Sequence, residues 1–249
     1  MVRLHKASFM GYVLAVLVIV STHTWANKEQ SEFFTAVEKG NLPLIDKLLT
    51  AQNIKTDELN QAFFIAIRKG NPAVVSRLLN AGTDIGYRGE SNYTPLIQAS
   101  RDGRHHIVEI LLAAGADVNA VADDNDTALI LAAEKDRREV MALLLAANAN
   151  VNAARTNGMT ALLVAAQEGY QQIIQILLKA NADVNYQLEN GATALMLAAQ
   201  HGHVGAIYSL MAAKANINAK ANNGMTAMML ATKYQHTEAI KLLKNAGAK

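Results

Sequence analysis

The residues able to do chemistry are few and poorly grouped. Histidines stand in two clusters, His105-His106 and His201-Gly-His203, and carboxylates gather at Asp123, Asp124 and Asp126. A metal site needs further ligands at matched spacing, and neither histidine cluster has them. Both read as solvent-facing residues around inter-helix turns. The acidic run could attract a cation or a basic partner, but it reads first as a solvated hairpin tip. No Gly-rich loop is followed by Lys-Ser/Thr, and no Gly-x-Ser-x-Gly elbow occurs. The chain has no cysteine, which excludes a thiolate nucleophile, a zinc ribbon and a disulfide framework. The expectation is therefore a non-enzyme with no catalytic residues, no cofactor and no metal. Asn92-Tyr-Thr94 and Asn125-Asp-Thr127 are formal glycosylation acceptors, but in each the Thr opens a helix and has a structural reason to be there.

With so little chemistry to position, the elements themselves become the subject. Of 249 residues, 51% are hydrophobic but only 5% aromatic, and 18% are charged. That balance excludes a largely disordered chain. Because Ala, Leu, Ile and Val supply the hydrophobicity, it suggests many thin, tightly packed helices rather than one large aromatic core.

Residues 1–26 read as an address rather than as fold. Arg3 and Lys6 form a basic start, Phe9 to Val20 carries no charge, and Thr24-Trp25-Ala26 offers small residues at the −3 and −1 positions of a peptidase site. This is the three-part pattern of a secretory signal peptide, cleaved after Ala26. The apolar run is short of the roughly 20 residues a bilayer-spanning helix needs, so no stable membrane anchor is expected after cleavage. Without this segment the chain has 23 − 2 = 21 Lys and Arg against 21 Asp and Glu. Its net charge is then zero, which removes the main electrostatic support for a nucleic-acid partner.

The remainder repeats. Thr94, Thr127, Thr160, Thr193 and Thr226 are 33 residues apart without slippage. Leu96, Leu129, Leu162, Leu195 and Met228 follow by two residues; Ala99, Ala132, Ala165, Ala198 and Ala231 follow by five. Gly115-Ala-Asp-Val-Asn119, Asn148-Ala-Asn-Val-Asn152, Asn181-Ala-Asp-Val-Asn185 and Lys214-Ala-Asn-Ile-Asn218 close successive units. In each unit the Thr hydroxyl can cap a first helix. A turn such as Gly169 ends that helix. A second helix then carries an apolar stripe such as Ile173, Ile174 and Leu177. An Asn-Gly pair such as Asn190-Gly191 suits the tight loop that follows.

Thr94-Pro-Leu96, Gly103, Ile107-Val-Glu-Ile-Leu-Leu112 and Gly115-Ala-Asp-Val-Asn119 make the chain resemble an ankyrin-repeat protein, and so does Asn190-Gly-Ala-Thr-Ala-Leu-Met-Leu-Ala-Ala199 with Gly202-His203. The resemblance covers nearly all of residues 27–249. It implies an all-α solenoid of stacked helix-turn-helix units joined by hairpin loops. About seven repeats are expected, near 31–57, 58–91, 92–124, 125–156, 157–189, 190–222 and 223–249, the first a divergent cap. Phe33, Phe34, Phe63 and Phe64 lie in the first two units, and Lys241, Lys244 and Lys249 punctuate the last as an exposed final helix should. Met141, Met196, Met211, Met228 and Met229 read as core.

The sequence also departs from the family pattern. Ile97, Ile130, Leu163, Met196 and Met229 replace the family's histidine, so no polar side chain at that position ties helix to loop. Asp136 and Gln235 replace a turn glycine, Lys214 replaces another, and Gly205 sits inside a helix at a cost near 1 kcal/mol. The fourth unit, with Asp136, and the sixth, with Gly205 and Lys214, should be softer than the third and fifth.

Such repeats bind partners along the hairpin tips and the inner face of the first helices. Carried onto this chain, that surface is Tyr93, Asp126, Met159, Ala192 and Met225 before each Thr. It continues through Arg101 and Asp102, Glu134 and Lys135, Gln167 and Glu168, Gln200 and His201, and Lys233 and Tyr234. Met159 and Met225 are soft, adaptable contact residues. The strip mixes both charges, which fits a protein partner better than nucleic acid or membrane. The expectation is a monomeric, non-catalytic interaction scaffold, periplasmic or secreted. Its partner would be an exported enzyme or toxin that it serves as adaptor, stabiliser, inhibitor or immunity factor. The alternative is a secreted effector acting on host proteins.

Overall fold

A computed structural model describes residues 31–51 and 54–248, and the expected leader lies outside them. Among the described residues the regular elements are fourteen α-helices and two single 3₁₀ turns; no strand forms. The chain divides into two compact units, one ending at Asp84 and one beginning at Ile85.

The first unit holds α1 (31–39), α2 (Leu42–Ala51), α3 (Thr56–Lys69) and α4 (Pro72–Asn80). Its core is Phe33, Val37, Ile45, Phe63, Ile67, Val75 and Leu78, all fully buried. Phe34 and Phe64 are half-buried. Gly70 ends α3 in the left-handed conformation at φ 73°, and Asn71 caps α4 by accepting the Val74 N–H. Arg77 of α4 pairs with Asp46 of α2 on the surface.

The second unit holds five helix pairs. They are α5 (Pro95–Arg101) with α6 (His105–Ala113), α7 (Ala128–Glu134) with α8 (Arg138–Ala146), and α9 (Ala161–Glu168) with α10 (Gln171–Lys179). The last two are α11 (Ala194–Gln200) with α12 (Val204–Ala212), and α13 (Ala227–Lys233) with α14 (Thr237–Asn245). First helices pack on first helices, α5 on α7 on α9 on α11 on α13, and second helices likewise from α6 to α14. This is the helical repeat solenoid that the 33-residue period implies.

The local causes are uniform. Thr94, Thr127, Thr160, Thr193 and Thr226 each accept the N–H three residues on, at 3.2–3.3 Å, and so cap their helices. A first helix is sandwiched on several sides, so α9 is buried from Ala161 through Ala166. A second helix is covered on one side only: α10 buries Ile173, Ile174 and Leu177 and exposes Gln171, Gln172 and Gln175. Fully burying one such side chain stabilises by about 1.5–3 kcal/mol. Asn148, Asn181 and Lys214 close α8, α10 and α12 at φ 64–66°, in the left-handed region where other units use glycine.

Between pairs the chain makes a short hairpin, closed by one backbone bond in each unit. Gly89 donates to Tyr93, Ala122 to Asp126, Arg155 to Met159, Leu188 to Ala192 and Ala221 to Met225, at 2.9–3.0 Å. Neighbouring hairpins then bond to each other. The Thr156 N–H donates to the Asp124 carbonyl and the Asn222 N–H to the Asn190 carbonyl, both at 2.9 Å. A second ladder runs through the asparagines that close each unit. Asn119, Asn152 and Asn185 Oδ1 accept the N–H of Asn150, Asp183 and Asn216 at 2.7–2.9 Å. Asn119, Asn152 and Asn185 therefore each splice one unit to the next.

Four expectations need correction. Met229 is not core: it is 48% exposed, whereas its counterparts Ile97, Ile130, Leu163 and Met196 are each 1% exposed. The cause is that α13 packs on α11 from one side and no described helix covers the other. Met211 and Met228 are only half-buried, while Met141 and Met196 are core as read. His203 is not simply solvent-facing, since its Nε2 donates to the Gln167 carbonyl at 2.9 Å. His236 does the same to Gln200 at 2.8 Å, and the Arg137 guanidinium to Arg101 at 3.2 Å. The helix-to-neighbour tie that the sequence seemed to lack is thus supplied at the residue just before α8, α12 and α14. Gly169 leaves the space for this tie, because a Cβ there would come within 2.6 Å of the His203 ring.

Candidate protein-binding surface

Because the helix pairs keep one register, equivalent residues line up along one edge of the second unit. Tyr93, Asp126, Met159, Ala192 and Met225 end the hairpins and are all half-buried. At the C-terminal ends of the first helices, Asp102, Glu134, Gln167 and Gln200 are half-buried, and Arg101, Lys135, Glu168, His201, Lys233 and Tyr234 are exposed. Gln98 and Asp102 join through a 2.7 Å bond.

One part of this edge is a connected polar cluster. The Arg101 guanidinium lies 5.7 Å from the Tyr93 ring centre, a cation–π contact. Arg155 pairs with both Asp126 and Glu134, and Lys135 Nζ reaches Glu134 at 2.9 Å. The three members of the Arg155 bridge have side chains only 15–29% exposed. Burial pushes the Tyr93 hydroxyl above its ordinary range, reinforced by the Asp126 charge. Burial would also raise the Glu134 carboxyl, but hydrogen bonds from Arg155 and Lys135 outweigh it and hold the group below its usual value. Burial likewise opposes the Arg155 charge, and the same carboxylates overcome it and raise its pKa.

Beside this cluster a shallow opening of about 630 Å³ is lined by Asp124, Asp126, Arg155, Thr156 and Asn157. No group of three or more metal-binding side chains exists among the described residues.

The structure thus brings Tyr93, Arg101, Asp126, Glu134 and Lys135 together. Of the other strip residues, Gln167 donates to Glu168 at 3.5 Å and Lys233 Nζ lies 5.4 Å from the Tyr234 ring centre, and the rest form a row of contacts along the edge. Arg155 was missed by sequence reasoning. A signal existed: it is the only cation at a register otherwise held by Gly89, Ala122, Leu188 and Ala221. Leu197 and Leu230 were also missed. They are half-buried one helical turn before Gln200 and Lys233, on the same helix face.

The family model described as Ankyrin repeats (3 copies) matches residues 33–122, 120–188 and 180–249. No curated protein gives a significant match to the chain.

Proposed function

The chain belongs to the ankyrin-repeat family, whose members mediate protein–protein interaction, and from that premise we propose that it is a non-catalytic scaffold exported to the periplasm or beyond. There it binds another exported protein, an enzyme or toxin, as adaptor, stabiliser, inhibitor or immunity factor. The observation that carries the binding surface is the half-buried row from Tyr93 to Met225 backed by the Arg155 cluster. It offers desolvated contact area and a rigid ion network. Large aromatic, methionine and arginine side chains on a rigid frame are the usual anchors of such surfaces. Export rests on Arg3, Lys6, the uncharged run to Val20 and the Thr24-Trp25-Ala26 site.

Two experiments test this reading. Tyr93→Ala, Met159→Ala and Tyr234→Ala combined should abolish capture of the partner from the native envelope while helical circular dichroism is kept; undiminished capture would place binding elsewhere. N-terminal sequencing of the exported protein should begin at Asn27, and a sequence beginning at Met1 would sink cleavage.

A further inference from the structure

Read unit by unit the strip mixes both charges, but along its length the charges separate. From Asp117 to Glu139 seven carboxylates face three basic residues, and from Lys214 to Lys244 five lysines face one carboxylate. On the edge itself Asp102, Asp123, Asp124, Asp126 and Glu134 outnumber Arg101, Lys135 and Arg155 at one end. At the other end Lys220 and Lys233 are exposed, with exposed Asn222 and Asn223 standing at the registers of Asp123 and Asp124. Between the poles the edge carries the half-buried apolar side chains Met159, Leu197 and Met225, while exposed large apolar side chains stand at both ends, Val121 at 44% and Met229 and Tyr234 at 48% and 45%.

We propose that the occupant of this strip is an extended protein segment carrying basic residues at one end, apolar residues in the middle and acidic residues at the other. Its basic end lies over Asp123, Asp124 and Asp126. Its apolar centre lies against Met159, Leu197 and Met225, and its acidic end over Lys220 and Lys233. The inference rests on the strip being the binding surface, and adds the order of the partner's chemistry.

The dimensions agree with such a segment. The acidic hairpin and the last hairpin are three repeats apart, and helices packed side by side lie roughly 8–10 Å from one another. The poles are then ~24–30 Å apart, which an extended chain at ~3.3 Å per residue spans in about eight residues. The Debye length at physiological salt is about 8 Å, so each pole attracts its own charge with little interference from the other. A polyanion such as nucleic acid would be repelled at the acidic end, and a wholly basic peptide at the lysine end.

The test uses two fluorescein-labelled peptides of equal composition, about 14 residues each, enough to span the strip with their charged ends. One has lysines at one end, leucines and methionines in the centre and glutamates at the other; the second interleaves the same charges. Fluorescence anisotropy with the chain from Asn27 onward should show the segregated peptide binding at least about 10-fold tighter, which corresponds to ~1.4 kcal/mol. Asp123→Asn with Asp124→Asn should bring the two affinities within about 2-fold, and so should Lys220→Gln with Lys233→Gln. Asn tolerates the positive φ of 58° at position 124. Equal affinity for the two peptides overturns the proposal. So does tighter binding of an all-lysine or all-glutamate control, or no measurable binding of the segregated peptide. Sedimentation showing the strip filled by a second copy of the chain overturns it as well. Met159→Ala with Met225→Ala separates the two readings. If it weakens both peptides equally while no order is preferred, the strip stands and the polarity falls. If it changes neither, the strip itself falls.

Discussion

At the scale of single residues, the best-determined feature of the strip is Arg155. Its guanidinium is held by two carboxylates of the preceding hairpin and helix, Asp126 on the hairpin before α7 and Glu134 at the end of α7. Replacing it by methionine keeps roughly the volume but leaves the partly buried Asp126 carboxylate unpaired and Glu134 with Lys135 alone, which is costlier than the pair itself is stabilising. Arg155→Met should therefore lower stability by about 1–2 kcal/mol, discounted for the partial exposure of the carboxylates. Urea denaturation checks this, and an unchanged midpoint would refute it. The same bridge makes stability depend on acid. Glu134 has a depressed pKa in the folded state, so its contribution is complete above the unfolded value of 4.5 and is lost as pH falls through the lower folded value. Glu134→Gln should flatten the stability profile below that pH. Ser100 shows the opposite case. It is fully buried with its hydroxyl unbonded, at a register where the next three units have Ala133, Ala166 and Ala199. None of this could be read from Arg155 alone, because its partners lie 29 and 21 residues away and only stacking brings them within reach.

At the scale of elements, the sequence was most legible where a residue acts on its own helix. The Thr caps and the apolar stripe of α10 are local in the chain, so their period of 33 residues reports them directly. The ties between elements were not legible. His203, His236 and Arg137 reach carbonyl groups 36 residues back, and the asparagine ladder joins residues 31 apart. Those distances become contacts only once one unit is laid on the next. Helix α12 illustrates both kinds of information. The sequence marks Gly205 as a weakness, and the structure adds that a Cβ there would meet the Gln171 amide at 2.5 Å. Gln171 is exposed and its amide can swing away. Gly205→Ala should therefore stabilise α12 by about 0.5–1 kcal/mol through helix propensity. At the end of the same helix, Lys214 sits at φ 66° with open solvent around it. Lys214→Gly should relieve the left-handed backbone and contribute a similar gain of about 1 kcal/mol. Thermal unfolding of the two variants and their combination checks both values. Additivity is expected, because the two sites lie at opposite ends of the helix.

At the scale of the whole molecule, the main helix contacts of the second unit run within a helix pair or between adjacent pairs. Stability in such an array is a sum of repeat and nearest-neighbour terms, so where a residue sits along the stack decides what it contributes. Period and register were legible in the sequence, but this position effect was not. Met229 matches Leu163 in the repeat pattern and differs from it in having no described helix on its outer side. Leu163 is 1% exposed between α7 and α11, while Met229 is 48% exposed on α13. Leu163→Ala should accordingly cost about 2–4 kcal/mol, the range for a truncated core side chain, and Met229→Ala less than ~1 kcal/mol. Equal losses in urea denaturation would contradict the one-sided packing of α13. Native-state hydrogen exchange extends the same argument to every amide. An interior pair such as α9–α10 opens only by breaking interfaces on both sides, whereas α13–α14 breaks one. Exchange from α13 and α14 should therefore occur at a lower opening free energy than exchange from α9 and α10. The two substitutions should then act differently on the exchange pattern. Leu163→Ala lowers protection across its neighbours α7 and α11 as well as in α9, and Met229→Ala leaves protection in α9 unchanged. Uniform protection across the five pairs would mean that the unit unfolds as one cooperative block, and the nearest-neighbour account of its stability would have to be abandoned.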